Sequence, residues 1–287
     1  LAGKTQNVMA AIDYIEAHLD QKLDLEQVAE AVHYSKYYLH RMFTAAVGLT
    51  VHDYVQRRQL TEAAKLLAFS RRPISEIAQL AGYASQQAFT DAFKAMYKKA
   101  PGRFREEEAF YPLQLAFVLQ PDPALPETDT AALAERVQTA QEKDIDRWMQ
   151  LVRLVVDGFP GLIEEQYIDV LRDYMRAGRA LWLCENQTAI GAVLFDPRQG
   201  SIDFLGVHPQ YRRRGVTEAL LRCVVERYMP GRPVSITTYR AGDRADTGYR
   251  EAFLQLGFAE SELLTEFGYP TQRFVLPAEE RGGEGDD

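Results

Sequence analysis

The sequence predicts a multidomain protein: an all-α domain followed by an α/β domain on a mixed sheet. Three observations carry this. At 287 residues the chain suits two domains of ~100–200 residues each. Residues 1–109 show only helical periodicity, whereas from about Arg136 helices alternate with short β-rich runs. Between these textures lies PDPALPETDT, in which Pro121, Pro123 and Pro126 block a helix and mark a linker over 110–135.

The composition, 46% hydrophobic and 26% charged, supports packed cores and excludes a disordered chain. No run of about 20 apolar residues is present, so no membrane helix is expected. Asp13, Glu16, Asp20, Asp24 and Glu26 interrupt the first 30 residues, which argues against a signal peptide. Cys184 and Cys223 lie in apolar runs, as buried thiols of a reducing cytoplasm do. The net charge of −8 is uneven: residues 1–110 hold 14 Lys and Arg against 13 Asp and Glu, the remainder 19 against 28. A polyanion would have to bind the first part.

In order, Ala10, Ile12, Ile15 and Leu19 recur at helical spacing, and Leu25, Val28, Ala29 and Val32 do so again. Ser35 caps a third helix that stops before Gly48, and Thr50 caps a fourth over Val51–Leu67. Pro73 opens a short helix ending at Gly82, Ser85 caps the next, and Pro101 opens the last. In the linker the apolar run Leu113–Leu119 suits one strand. Helices follow at Asp144–Asp157, Glu164–Ala177, Gly215–Tyr228 and Thr247–Leu256. Strands are expected at Ala180–Glu185, Ala189–Phe195, Ile202–Val207, Val234–Tyr239, Ala259–Phe267 and Gln272–Leu276. The polar, Gly-rich tail 278–287 should be disordered.

The first domain repeats itself. LEQVAEAVHYSKYYLHRMF (25–43) aligns with ISEIAQLAGYASQQAFTDAF (74–93): Val28 with Ile77, Ala29 with Ala78, Tyr34 with Tyr83, then Ser35 with Ser85, Leu39 with Phe89 and Phe43 with Phe93. Each copy reads as a short helix, a tight turn and a capped second helix. Ala29 and Ala78 let two helices approach, and Gly82 supplies the positive φ of the turn. His33 holds that place in the first copy, at some strain. This is the helix-turn-helix pattern, whose second helix lies in the DNA major groove.

Residues 7–105 resemble the DNA-binding domain of the AraC/XylS family of bacterial transcription regulators, through SKYYLHRMF, GLTVHDYVQRRQLTEAAKLL, PISEIAQLAGYASQQAFTDAFK and APGRFR. The resemblance implies a double helix-turn-helix domain on double-stranded DNA, its two units joined by the long helix at Val51–Leu67. Helical periodicity leaves Lys36, Tyr37, His40, Arg41 and Thr44 outside on the first recognition helix, with Leu39 and Phe43 inside. Arg41 suits guanine, and Tyr37 and His40 suit bases or phosphates. The second presents Ser85, Gln86, Gln87 and Thr90, Gln matching adenine and the hydroxyls phosphate. Asp91 departs from relatives that carry a basic residue there.

In IDFLGVHPQYRRRGVTEALLRCVVERY (202–228) a strand leads through an arginine-rich turn and Gly215 into a helix, either an anion cradle at a helix N-terminus or a basic surface loop. The pattern is neither that of a P-loop nor that of a dinucleotide-binding turn. It resembles motif A of the GNAT acyltransferase superfamily, here Arg212-Arg213-Arg214-Gly215-Val216-Thr217; EAFLQLGF (251–258) and YPTQRFVL resemble its later segments, and the likeness spans about 136–277. That implies a mainly antiparallel mixed sheet, acetyl-CoA as donor or ligand, and a splay between the strands at 202–207 and 234–239. Backbone groups of Leu205 and Val207 would hold the pantetheine, and the turn from Arg212 to Thr217 the pyrophosphate. Thr217 replaces the usual small residue, and Phe253 stands where relatives often carry a tyrosine that protonates the leaving thiolate. Tyr249, one turn earlier, either substitutes for it or packs. Asp203, on the face that alternation gives Leu205 and Val207, is either the base or a rim carboxylate. Glu164 and Glu165 attract a cationic amine or simply open a helix, His208 reads as surface, and Tyr167, Tyr174 and Trp182 line an acceptor pocket or the core. No metal-ligand set is expected.

Together the resemblances imply a cytoplasmic, nucleoid-associated regulator whose second domain binds acetyl-CoA or a related ligand and acetylates an unknown small amine or protein, with no membrane partner. The alternative is a catalytically silent sensor of a ligand or partner that controls DNA binding.

Overall fold

The structure, a computed structural model, describes residues 2–107, 110–119, 129–155, 163–212 and 214–278. Arg213, most of the expected tail and the proline-rich centre of the linker lie outside the described residues. The chain forms two units. One comprises Leu1–Pro126, Arg153–Leu162 and Asp243–Thr247; the other Glu127–Val152, Ile163–Gly242 and Gly248–Asp287.

The first unit holds α1 (Ala2–Ala17), α2 (Leu25–Ala31), α3 (Lys36–Val47), α4 (Val51–Phe69), α5 (Ile74–Leu80), α6 (Gln86–Tyr97) and α7 (Pro101–Glu106). The caps are those the sequence calls for: Ser35, Thr50 and Ser85 accept from the amides of Tyr38, Asp53 and Ala88. Each cap satisfies a donor that the first helical turn otherwise leaves open. Leu39 and Phe43 of α3, and Phe89 and Phe93 of α6, are fully buried. The turns of the two copies match, with φ of 59° at His33 and 73° at Gly82. A Cβ at Gly82 would lie 2.6 Å from the Gln21 carbonyl oxygen, so that turn admits no side chain. Gln59 of α4 donates to the carbonyls of Leu19 and Gln21 at 3.1 and 2.7 Å, tying the two halves together at this point.

Residues 111–119, the first part of the expected linker, form neither helix nor strand, bend at Leu113 and join no sheet. Tyr111, Leu113, Phe117 and Leu119 are buried within the first unit.

The second unit opens with α8 (Thr130–Glu135) and β1 (Gln138–Thr139), two elements the sequence reading does not contain. It continues through α9 (Ile145–Val155, whose last residues belong to the first unit), α10 (Glu164–Arg176), β2 (Ala180–Glu185), β3 (Thr188–Asp196) and β4 (Ser201–Val207). After these come α11 (Val216–Tyr228), β5 (Val234–Tyr239), α12 (Tyr249–Gln255), β6 (Ala259–Glu266) and β7 (Tyr269–Leu276). The sheet runs β1-β2-β3-β4-β5-β7-β6. Every pairing is antiparallel except β4 with β5, so the sheet is mixed and mainly antiparallel. A parallel pair needs a crossover, and α11 supplies it.

Candidate functional sites

Two candidate surfaces stand out, one on each unit. On the first, α3 presents Lys36, Tyr37, His40 and Arg41 to solvent. Tyr37 is 79% exposed, with the Lys36 ammonium 5.8 Å from its ring centroid. Thr44 corrects the periodicity argument. It is half-buried and its hydroxyl lies inside, because it flanks the buried positions Phe43 and Val47. On α6, Ser85, Gln86 and Gln87 are exposed and Thr90 is half-buried. Gln87 Nε2 donates to both carboxylate oxygens of Asp91 at 3.0 and 3.1 Å. The departure at Asp91 thus engages the glutamine one turn before it.

On the second unit, β4 and β5 pair only at Ser201–Ser235 and Ile202–Ile236. Beyond these residues the strands part, which leaves the β5-facing backbone edge of β4 at Leu205 and Val207 without a strand partner. Next to this splay α11 begins without a side-chain cap. Uncapped amides at the start of a 13-residue helix favour an anion. Arg212, Arg214 and Thr217 are half-buried around the turn, and Val216 is buried, so its backbone alone is available there. Gly215 sits at φ 72°, and a Cβ on it would lie 2.9 Å from Thr130 Oγ1 of α8. The glycine is therefore demanded by its backbone conformation and by a neighbouring helix.

Asp203 departs from the alternation assumed for it. Leu194 pairs with Phe204 and Phe195 with Ile202, so Asp203 is an extra, bulged residue, and counting by twos from Leu205 does not assign its face. Its carboxylate accepts from Tyr174 Oη at 2.6 Å and from Ser201 Oγ at 2.7 Å. Burial, with Asp203 beside it, holds the Tyr174 phenol above its usual range, so it stays a donor. Tyr249 is the first residue of α12, and the Arg212 guanidinium lies 5.8 Å from its ring centroid and 3.5 Å from its hydroxyl. Phe253 is buried against Phe258 and Phe274.

His208 is buried rather than on the surface. Its Nδ1 accepts from the Gln210 amide, and desolvation, followed by the Arg212 charge, pushes its pKa down to about 4. Trp182 is core, under the Arg147 guanidinium. Tyr167 accepts from Trp148 Nε1 at 3.1 Å, and Glu164 and Glu165 open α10. The bulge, the Arg212–Tyr249 contact and the Thr130 neighbour escape a sequence reading, since each joins residues far apart in the chain.

Residues 28–107 match a family model described as a helix-turn-helix domain, and residues 148–258 one described as the acetyltransferase (GNAT) family. The chain is similar to regulatory protein SoxS of Salmonella typhimurium, 38% identical over 100 residues, which cover 35% of this chain and 94% of that protein. It is also similar to SoxS of Escherichia coli K12, 40% identical over 94 residues, which cover 33% of this chain and 88% of that protein. Among solved structures, an acetyltransferase of the GNAT family from Bacillus cereus aligns at 19% identity and a TM-score of 0.40, covering 50% of this chain and 97% of that one.

Proposed function

Because the chain belongs to the AraC/XylS family of transcription regulators and carries a GNAT-family domain, we propose that it is a bacterial regulator that reads DNA with its first unit and binds acetyl-CoA or a related acyl-CoA with its second. The observation that carries the coenzyme half is the parting of β4 and β5 after Ile202 and Ile236, next to the uncapped start of α11. The residues present fit the group. An opened strand edge suits an amide-bearing pantetheine arm, as an added strand would be held. The α11 amides with Arg212, Arg214 and Thr217 suit a diphosphate.

When bound, acetyl-CoA supplies the activated acyl group. Leu205 and Val207 hold the arm through backbone groups. Asp203 would hold a cationic amine or take its proton, with Tyr174 and Ser201 orienting the carboxylate. Tyr249, at the start of α12, would offer a proton in place of the one Phe253 lacks. Phe253, buried and without a proton to give, favours a second reading, a catalytically silent sensor of a ligand or partner.

On the first unit, Lys36, Tyr37, His40 and Arg41 of α3 and Ser85, Gln86, Gln87 and Thr90 at α6 contact DNA in two major grooves. Arg41→Ala should weaken operator binding by about 1–3 kcal/mol and relax preference at one base pair. Unchanged affinity across a base-substitution series would remove Arg41 from base readout. Acetyl-CoA calorimetry followed by a thiol-release assay over a panel of amines tests the second unit. Binding with turnover selects the enzyme, binding alone selects a sensor of acyl-CoA, and no binding leaves a sensor of another ligand or partner. Among the described residues no helix is long and apolar enough to cross a membrane, and the site of action proposed is the cytoplasmic nucleoid.

A further inference from the structure

We propose that residues 111–119 are a strap that fixes the spacing of the two recognition helices, and so belong to the DNA-reading apparatus rather than to a linker. The strap has an anchor at each end. Tyr111 packs against Tyr97 of α6 and Phe104 of α7, with ring centroids 5.2 and 5.6 Å away, and its carbonyl accepts from Tyr97 Oη at 3.2 Å. That is the core of the second helix-turn-helix unit. Phe117 and Leu119 enter the other core, among Val8, Ile12, Leu39 and Phe43, and Phe117 stacks on Tyr54 at 5.6 Å.

Between the anchors the strap runs antiparallel to α4 and takes its hydrogen bonds from helix side chains. Thr61 Oγ1 accepts from the amides of Leu113 and Gln114 at 3.0 and 3.1 Å. Arg58 donates to the Gln114 carbonyl at 2.9 Å, and Tyr54 Oη accepts from the Phe117 amide at 3.3 Å. Arg58 and Tyr54 are themselves bonded to Glu16 of α1. The strap therefore closes a network that joins α1, α4, α6 and α7. Buried backbone groups satisfied only by side chains make sense where a fixed register is required. Held at Thr61, Arg58 and Tyr54 in turn, the strap braces the helix between the two helix-turn-helix units against bending.

The test is a spacing series. An operator is selected from random-sequence DNA with the full chain, and base pairs are then added or removed between its two half-sites. Each step rotates one half-site by about 35° relative to the other. A braced reader loses about tenfold or more in affinity for one base pair, because both units no longer engage together. Thr61→Val and Phe117→Ala, each with helical circular dichroism retained, are expected to reduce that penalty to about threefold or less. A merely structural strap would weaken all spacings alike and leave the penalty intact. That result overturns the proposal, as does a wild-type chain indifferent to spacing. Hydrogen exchange on the unaltered chain checks the same point without a variant. The amides of Leu113, Gln114 and Phe117 are expected to exchange as slowly as those of α4, and loop-like exchange overturns the brace.

Discussion

His33 stands at the turn position that Gly82 fills in the second copy, and its φ of 59° places a branched ring in left-handed backbone. That conformation costs a non-glycine residue roughly 1–2 kcal/mol, while glycine gives back ~0.5–1 kcal/mol through the unfolded chain. His33 is exposed, so no packing is lost with its ring. His33→Gly is expected to stabilise the first unit by about 0.5–1 kcal/mol, read by urea denaturation followed by helical circular dichroism. His208 makes the opposite case, a histidine kept neutral by burial. Its folded pKa of about 4 lies below its unfolded value of 6.5, so the unfolded state binds the proton first as pH falls. Stability is therefore intact above pH ~6.5 and declines toward pH ~4, by about 2 kcal/mol between pH 7 and pH 5. Comparing His208→Gln with the unaltered chain at both pH values, by tryptophan fluorescence, isolates this contribution from carboxylates common to both. Equal pH dependence in the two proteins would contradict it.

The start of α11 concentrates two demands on one residue. Gly215→Ala would place a Cβ 2.9 Å from Thr130 Oγ1 at a φ of 72°, so α8 must shift or the turn must change. The expected cost is about 1–2 kcal/mol in unfolding, with a fall in acetyl-CoA affinity measured by calorimetry. Elements with their own local signals were legible in the sequence. β2 and β5 occupy the expected residues, and Ser35, Thr50 and Ser85 cap as read. α8 was not, although Asp129 followed by Thr-Ala-Ala-Leu-Ala-Glu is a capped run of mostly good helix formers, because the prolines before it dominate the window. The bulge at Asp203 was illegible for a firmer reason: alternation assumes one residue against one, and only the partner strand reveals an extra residue. Residues 113–119 look like a strand because they are mostly apolar, yet the groups that satisfy the backbone here are hydroxyls and a guanidinium of α4, which no periodicity encodes.

At the scale of the whole chain, regulation requires that the proposed coenzyme surface be coupled to DNA binding. A single proline-rich tether would transmit little. The segment Asp243–Thr247, which counts with the first unit, lies in the chain between β5 and α12. Both tryptophans, Trp148 and Trp182, belong to the second unit and are buried there, so their fluorescence reports that unit alone. Acetyl-CoA at 100 times its Kd is expected to raise the tryptophan-reported unfolding free energy by about 2.7 kcal/mol. Coupling between sites is reciprocal: a factor by which acetyl-CoA changes operator affinity must equal the factor by which operator changes acetyl-CoA affinity. A regulator should show a factor of about 5 or more in both titrations, run on the full chain with each ligand saturating in turn. A factor of one in both would leave two independent binding units on one chain, with regulation supplied by something other than the acyl-CoA site.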